Sequence, residues 1–532
     1  MRFFNTAGPC KPDEHYMLPA THRLEAFNVE RLIRQRQYFV VHAPRQVGKT
    51  TAMHELAKQL TASGDYISIV LSMETGAAFP NEPLKAEQAI IGNWKISILV
   101  QLPPEFHPPE WFLESQDGSI IGNYLSQWSL AASRPLVILL DEIDALENDV
   151  LISVLRQLRS GYFNRPKGFP SSLALIGLRD VRDYKVVSGG SQRLGSPSPF
   201  NIAVRSITLR NFTKDEVETL LTQHIEETGQ TITDEAMERV FYLSQGQPWL
   251  VNSLAKVCVE ELEEDLQKPI QRSNVDEAKE ILIQRRQVHL DQLTDKLQTQ
   301  RVRSVIEPIL AGSSLDDIPF DDIEYVTDLG LVQRINGHTV AIANPIYKEI
   351  IPRVLATNTQ ASIPQISPTW LNPDGSLNPV KLIDAFLSFW RQHGQPLLRS
   401  APYHEIAPHL VLMAYLHRVV NGNGIIDREY AIGSGKMDLY LRYGHGSDAV
   451  QMALELKTWR DGRSDPLTDG LKQLDTYMSG LSYSGVAIEG TTVETGWLVI
   501  FEQRSNQPAI SERTSAETVS TPAGRSITLI RA

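Results

Sequence analysis

Cysteine is almost absent from this chain of 532 residues. Cys10 and Cys258 are the only two, too few for a disulfide framework or a structural zinc site and in keeping with a reducing cytoplasm. Long apolar runs are missing as well. Runs such as residues 135–140 fall far short of the roughly 20 residues a bilayer-spanning helix needs. The opening Met1-Arg2-Phe3-Phe4-Asn5 lacks an apolar stretch with a small-residue cleavage site. The expectation is a cytoplasmic protein with no membrane partner. Positive charge is not in excess either: 51 Lys and Arg stand against 63 Asp and Glu, a net charge of −12. That excludes a protein that coats nucleic acid indiscriminately, because such binding draws on many basic contacts that release counterions. From residue 380 onward, 15 basic side chains meet 16 acidic ones, so the C-terminal part repels phosphate least. No internal repeat and no Gly-x-Ser-x-Gly elbow occurs, which removes support for acyl-transfer chemistry. His404 and His409 are five apart with Pro408 between them, so they do not share a helix face and a zinc-protease helix is excluded.

What is present is an ordinary globular composition, 42% hydrophobic and 21% charged, in a chain long enough for three or four domains at about 150 residues each. Apolar runs at residues 38–42, 66–71, 136–140 and 173–178 alternate with helical spacing. This is the pattern of a parallel sheet covered on both faces. Residues 1–209 are therefore predicted to form an α/β domain. Residues 210–287 read as helices, opened by the cap Thr213-Lys214-Asp215-Glu216, and form a helical lid. In 288–355 helices lead to two alternating runs around Asn336-Gly337, a hairpin signal that suggests a winged helix. Residues 356–380 are rich in Thr, Asn, Ser, Pro and Gln and read as a linker. Residues 381–532 have an α/β/α order that ends on a strand at 497–501.

The first chemical motif is Ala43-Pro44-Arg45-Gln46-Val47-Gly48-Lys49-Thr50, followed by Thr51. It fits a P-loop except that Ala43 replaces the leading glycine. Backbone N–H groups at the helix start cradle phosphate, Lys49 reaches the outer phosphates of ATP, and the Thr50 hydroxyl suits Mg²⁺. A second apolar strand ends in Asp141-Glu142. Asp141 is placed to hold Mg²⁺ through water and Glu142 to polarise the attacking water. Arg156, Arg159, Arg179 and Arg182 are candidates to neutralise transition-state charge, within the chain or toward a neighbouring copy, and the sequence does not choose among them.

These stretches, with Leu155-Arg156-Gln157-Leu158-Arg159-Ser160-Gly161-Tyr162, Gly177-Leu178-Arg179-Asp180-Val181-Arg182-Asp183-Tyr184, Gly246-Gln247-Pro248-Trp249-Leu250 and Asn344-Pro345-Ile346-Tyr347, resemble the bacterial AAA-like ATPase family over residues 1–355. The resemblance implies an AAA+/STAND-type core with lid and winged helix, nucleotide contact by Pro248, and an alanine tolerated at position 43.

A second motif follows the linker. Asp438 lies on one predicted strand, and Glu455 and Lys457 lie two apart on the next, on one face, with Met452, Leu454 and Leu456 facing the core. Two hard carboxylates suit Mg²⁺ or Mn²⁺, and the lysine suits a water attacking phosphorus. Glu405 is a further candidate ligand. With Gln473 and Tyr477 four apart on the next helix, this set resembles the PD-(D/E)XK nuclease superfamily, with Met437 where the name has proline. The resemblance implies DNA as substrate. The joint expectation is a P-loop ATPase whose nucleotide state gates a metal-dependent nuclease. The alternative is a STAND-type regulatory switch whose C-terminal domain binds a partner or nucleic acid without cutting.

Overall fold

The computed structural model describes residues 1–110, 118–178, 202–285, 296–311, 314–335, 339–362, 367–400, 407–420, 424–432, 435–444, 449–483 and 495–532. The chain divides into two compact units. The first holds Met1–Arg285 and Glu324–Arg334. Two short helices, α1 (His22–Glu25) and α2 (Val29–Arg34), lead into β1 (Tyr38–His42), α3 (Lys49–Ala62), β2 (Ile67–Ser72), α4 (Pro83–Gln101), α5 (Ile120–Ala131), β3 (Leu136–Asp141), α6 (Asn148–Gly161), β4 (Ser172–Gly177) and β5 (Ala203–Thr208). The strands form a sheet of order β2-β3-β4-β1-β5, every neighbouring pair parallel.

Strand periodicity explains the layering. In β1, Tyr38 and Val40 join a core with Trp94, Tyr124 and Trp128 from α4 and α5. Phe39 and Val41 face the other way, onto Met53 and Leu56 of α3 and Ile33 of α2. A strand buried on both faces reads as an unbroken apolar run, which is why residues 38–42 and 136–140 were legible. β5 was not. Its Ala-Val-Arg-Ser-Ile-Thr sequence at the sheet edge carries too few apolar residues to stand out.

The helical segment follows as α7 (Lys214–Thr228), α8 (Asp234–Ser244), α9 (Pro248–Val257) and α10 (Arg272–Gln284). Its expected start holds: Thr213 accepts from the Glu216 amide at 3.2 Å while the Glu216 carboxylate accepts from the Thr213 amide at 2.8 Å. That reciprocal cap satisfies two otherwise orphaned donors.

The helices α11 (Gln300–Ala311) and α12 (Phe320–Asp328) and the short strands β6 (Val332–Ile335) and β7 (Thr339–Ile342) come next. The Asn336-Gly337 turn lies outside the described residues. Helix α13 (Pro345–Ser362) runs into the stretch read as linker, because its apolar N-terminal half is long enough to carry the polar continuation.

The second unit holds Arg286–Ile323 and Ile335–Ala532. After α14 (Pro379–Ser400) and α15 (Ala407–Val420) come β8 (Gly424–Ile432), β9 (Gly435–Tyr443), β10 (Val450–Trp459), α16 (Leu467–Tyr483), β11 (Thr495–Glu502), α17 (Ile510–Arg513), β12 (Ser515–Ser520) and β13 (Ser526–Arg531). The expectation that the strand near 497–501 ends the fold is corrected. Two further strands extend the sheet to the order β12-β13-β11-β10-β9-β8. β12, Ser-Ala-Glu-Thr-Val-Ser, is an almost wholly exposed edge strand, so it lacks the apolar alternation that announces a strand. On one face Leu474 and Met478 of α16 pack on Ala453, Leu498, Ile500 and Leu529. On the other, the Trp390 and His409 rings of α14 and α15 lie 5.1 and 5.5 Å from Phe501.

His417 of α15 is a titratable group inside this unit. Burial, with Arg353 adding repulsion, pushes its imidazole down to about 4 from 6.5. The unfolded chain then binds a proton that the folded chain refuses, so stability is complete above pH 6.5 and falls as pH drops toward 4. From pH 7 to 5 the loss is expected to be about 2 kcal/mol. Urea midpoints of wild type and His417→Gln at both pH values check it: only the wild type should show this component.

Candidate functional site

β1 delivers the chain to the loop of residues 43–48, and α3 receives it. The loop turns through two left-handed residues, Gln46 at φ 60° and Gly48 at φ 84°, so the first amides of α3 point into the concavity ahead of it. β1 runs parallel to β4 and β5, so the helix start that follows its last residue stands at the C-terminal edge of the sheet, where parallel α/β folds bind ligand. Lys49 Nζ donates to the Ala43 and Pro44 carbonyls at 2.7 and 2.9 Å. Burial pulls its ammonium down to about 8, while the carboxylates of Asp144 and Asp141 act to hold the proton on.

The two acidic positions converge on the loop. The Thr50 hydroxyl donates to Asp141 Oδ2 at 2.7 Å, joining the first turn of α3 to the end of β3. The Ser72 hydroxyl at the end of β2 donates to Glu142 Oε2 at 2.6 Å. Burial raises the Glu142 carboxyl, opposed by the Ser72 bond. Glu142 sits at φ 59°, a left-handed conformation that costs a non-glycine residue on the order of 1 kcal/mol. Thr51 accepts from the Cys10 amide at 3.2 Å.

Two residues here escaped the sequence reading. Asp144, three positions after Asp141, is the strongest electrostatic partner of Lys49, and the run Asp141-Glu142-Ile143-Asp144 held the signal. Arg23 is 6% exposed and donates through Nη1 to the Val47 carbonyl at 2.8 Å and the Arg210 carbonyl at 3.0 Å. Its guanidinium lies 4.9 Å from the Phe212 ring centre, so it ties the loop to the entry of α7. Nothing near Arg23 in sequence marks it. Arg23→Met is expected to leave two carbonyls unpartnered and cost about 2–4 kcal/mol in urea unfolding, with the loop's ligand affinity falling alongside.

Beside the loop opens a pocket of about 500 Å³ including its mouth, lined among others by Cys10, Tyr16, Arg23, Gly48, Thr51, Phe212, Pro248 and Asn252. Pro248, the residue the family resemblance implies as a nucleotide contact, is one of these lining residues. The Trp249 indole donates to the Thr6 carbonyl at 3.0 Å, fastening α9 to the N-terminal strap that forms the opposite wall. On the loop's other flank Asp328 stands 3.8 Å from His42. Gly330 there is so close to Pro44 that an added Cβ would lie 2.7 Å from its ring.

The arginine candidates separate. Arg156 and Arg159 are exposed on α6, and Arg179 and Arg182 lie outside the described residues.

In the second unit, Glu455 is 2% exposed and accepts from Lys457 Nζ at 2.6 Å. Both stand on the α16 face of β10, since Ala453 two positions earlier belongs to that core. β9, the strand that holds Asp438, pairs Leu439 with Leu454. The Asp438 side chain and Glu405 lie outside the described residues. On α16, Tyr477 is half-buried and Gln473 exposed.

A parallel sheet with a glycine-ended loop feeding a helix, and a Thr–Asp contact across adjacent segments, defines a P-loop ATPase fold. The chain belongs to the AAA-like domain family, whose sequence profile matches residues 14–351. Among solved structures it is similar to a Walker-type ATPase of Pyrococcus abyssi, at 11% identity and TM-score 0.45, over 65% of this chain and 98% of that one. It is also similar to the RuvB Holliday junction branch migration motor of Thermotoga maritima, at 15% identity and TM-score 0.34, over 64% and 96%. Cdc6p from Pyrobaculum aerophilum is a third, at 12% and 0.36, over 65% and 96%. No curated protein matches the chain. Among the described residues no helix is long and apolar enough to cross a membrane.

Proposed function

We propose that this protein binds ATP at Lys49 and hydrolyses it, and that the nucleotide state governs a metal-dependent DNA nuclease in the second unit. The observation that carries the reading is the Thr50–Asp141 contact of 2.7 Å. It brings a hydroxyl and a carboxylate, both hard oxygen donors suited to Mg²⁺, to the mouth of a phosphate-binding loop. Mg²⁺ held by Thr50 and Asp141 would supply positive charge to the phosphate oxygens. The amides of residues 46–50 grip the phosphates, and Lys49 turns its ammonium from the loop carbonyls toward the terminal phosphate. Glu142, held by Ser72, orients the attacking water and accepts its proton, a role suited to a carboxylate whose affinity for protons is raised. Residues 210–287 act as lid and 288–355 as winged helix, linked through 356–380 to a nuclease-like domain at 381–532. One or more of Arg156, Arg159, Arg179 and Arg182 answers the transition-state charge, at the same site or across a homo-oligomer.

For the second site, Glu455 and Lys457 on β10 and Asp438 on the neighbouring strand β9 are the residue types for Mg²⁺ or Mn²⁺ and a water-orienting ammonium. Glu405 completes the set, and Gln473 and Tyr477 support it. The bond between Lys457 and Glu455 also favours a second reading, a regulatory ATPase of STAND type in which the pair is a structural ion pair and the domain binds without cutting. Cleavage of single-stranded, duplex and branched DNA with Mg²⁺ or Mn²⁺ separates them. Under the first reading wild type cuts, Asp438→Ala and Lys457→Ala lose at least about 100-fold, and Lys49→Ala loses the ATP dependence. Equal cutting by Asp438→Ala ends the nuclease reading.

A further inference from the structure

We propose that the first unit binds a single strand of nucleic acid at the pole opposite its nucleotide loop, with Arg31, Arg36, Arg159 and Lys167 on the phosphates and a base stacked on Phe163. The proposal stands apart from the nuclease reading of the second unit, because it uses neither that unit's residues nor a metal.

β1 and β4 are parallel and in register from Tyr38 and Leu173, so the segments that lead into them meet at the N-terminal edge of the sheet. The loop that ends in Lys49 leaves β1 at its other end, about 16 Å away for a strand of five residues. Residues 28–37 and 156–168 supply the N-terminal edge, the second segment bringing the last turn of α6 with Arg159. Together they carry seven Arg and Lys and a single acid, Glu30, in a chain whose net charge is −12. Glu30 pairs with Arg34 at 3.3 Å. Arg31, Arg36, Arg159 and Lys167 are exposed and have no ion-pair partner among the described residues. Cations gathered in this way repel one another, and a polyanion relieves the repulsion.

The two segments are braced against each other. Arg165 donates through Nε to the Tyr162 carbonyl at 2.7 Å and through Nη1 to the Arg36 carbonyl. Its guanidinium lies 3.4 Å from the Tyr162 ring centre and 5.0 Å from that of Tyr38. The Ser172 hydroxyl donates to the Gln37 carbonyl at 2.6 Å, and the Tyr38 hydroxyl to the Pro170 carbonyl at 3.1 Å. The free cations therefore stand on one fixed surface, which lowers the ordering cost of binding.

Phe163 is 85% exposed and is the large apolar side chain that these segments leave open. Its ring stands perpendicular to that of Tyr162, with centres 5.8 Å apart. A lone exposed phenylalanine is ordinary. One set among unpaired cations has the composition of a single-strand site, where basic side chains track the phosphates and an aromatic ring stacks a base. A duplex keeps its bases stacked on one another and leaves the ring idle. A membrane surface calls for a whole apolar face, which one ring does not make.

Fluorescence anisotropy of a labelled thymidine oligonucleotide of about 20 residues, in EDTA and without ATP, measures the binding between about 50 and about 200 mM salt. Wild type is expected to bind it, with affinity falling steeply as salt rises. Arg31→Ala combined with Lys167→Ala removes two phosphate contacts, so affinity falls and the logarithmic salt slope becomes shallower by about 1.4, at about 0.7 for each contact. Phe163→Ala is expected to weaken the single strand about 10-fold with the slope unchanged and to leave duplex affinity as it was, and Phe163→Trp to restore the single strand. All of these side chains are exposed, so none of the variants is expected to disturb the fold. Oligonucleotide binding that neither the double variant nor Phe163→Ala weakens overturns the proposal and leaves the nuclease reading standing. Absence of oligonucleotide binding by wild type overturns it as well. Loss in the double variant with Phe163→Ala equal to wild type overturns the single-strand reading. Binding to vesicles of anionic phospholipid in place of the oligonucleotide overturns it in favour of a membrane surface.

Discussion

Lys49→Ala is expected to weaken ATP binding at least about 100-fold and to bring turnover to background. An ammonium facing phosphate oxygens makes charge-assisted hydrogen bonds, and removal of one partner of such a desolvated contact typically costs about 2–5 kcal/mol. The folded loop already positions the group. Lys49 is held 2.7 and 2.9 Å from the carbonyls that open the loop and faces Asp141 and Asp144, so it needs only a rotamer change to meet a ligand. Glu142→Gln is the matched control. It keeps the shape and an acceptor for the Ser72 hydroxyl but removes the base, so affinity should persist while turnover falls about 10²–10⁴-fold. Titration with a fluorescent nucleotide and a phosphate-release assay measure the two quantities separately. Unaltered affinity in Lys49→Ala would remove the loop from the account.

Gly246→Ala is expected to destabilise the first unit by about 3–5 kcal/mol. Gly246 has φ +71°, and a Cβ there would lie 2.0 Å from the Phe212 carbonyl oxygen, a backbone atom that cannot swing aside. The contact is close because the Phe212 amide donates to the Gly246 carbonyl at 2.9 Å, which draws the two strands of backbone together. The left-handed angle adds on the order of 1 kcal/mol. Gly229→Ala isolates that smaller cost, since Gly229 has φ +78° but nothing within 4 Å of its added Cβ. Urea unfolding of the two variants should therefore differ by about 2 kcal/mol or more. Equal midpoints would show that the Phe212 segment yields. Phe212 and Pro248 both line the pocket, so the damage should reach nucleotide affinity as well.

These residues also show what was legible beforehand. The loop of residues 43–48, β3 ending in Asp141, and the cap at Thr213 announce themselves because local chemistry demands them: a left-handed turn, an apolar strand, a paired cap. The face shared by Glu455 and Lys457 follows from the two-residue repeat alone. Arg23, Tyr16 and Asn252 give no such sign. An arginine in a short helix becomes a buried brace only when Val47 and Arg210, far apart in sequence, bring their carbonyls to it. Likewise an asparagine on an apolar helix becomes a pocket wall only once the strap crosses in front of it. β12 escaped for a related reason, since an edge strand draws its order from its neighbour β13 rather than from its own side chains.

The bond from the Trp249 indole to the Thr6 carbonyl has a practical meaning. Trp94 and Trp128 are sealed in the sheet's core at 0% exposure, in surroundings that ligand entry leaves alone. Trp249 alone of these three spans the seam between α9 and the strap, so a change in its emission is the expected result of breaking that bond. The protein thus carries its own optical gauge: a colour shift in intrinsic fluorescence on mixing with nucleotide, lost in Trp249→Phe, would time the parting or tightening of the two walls.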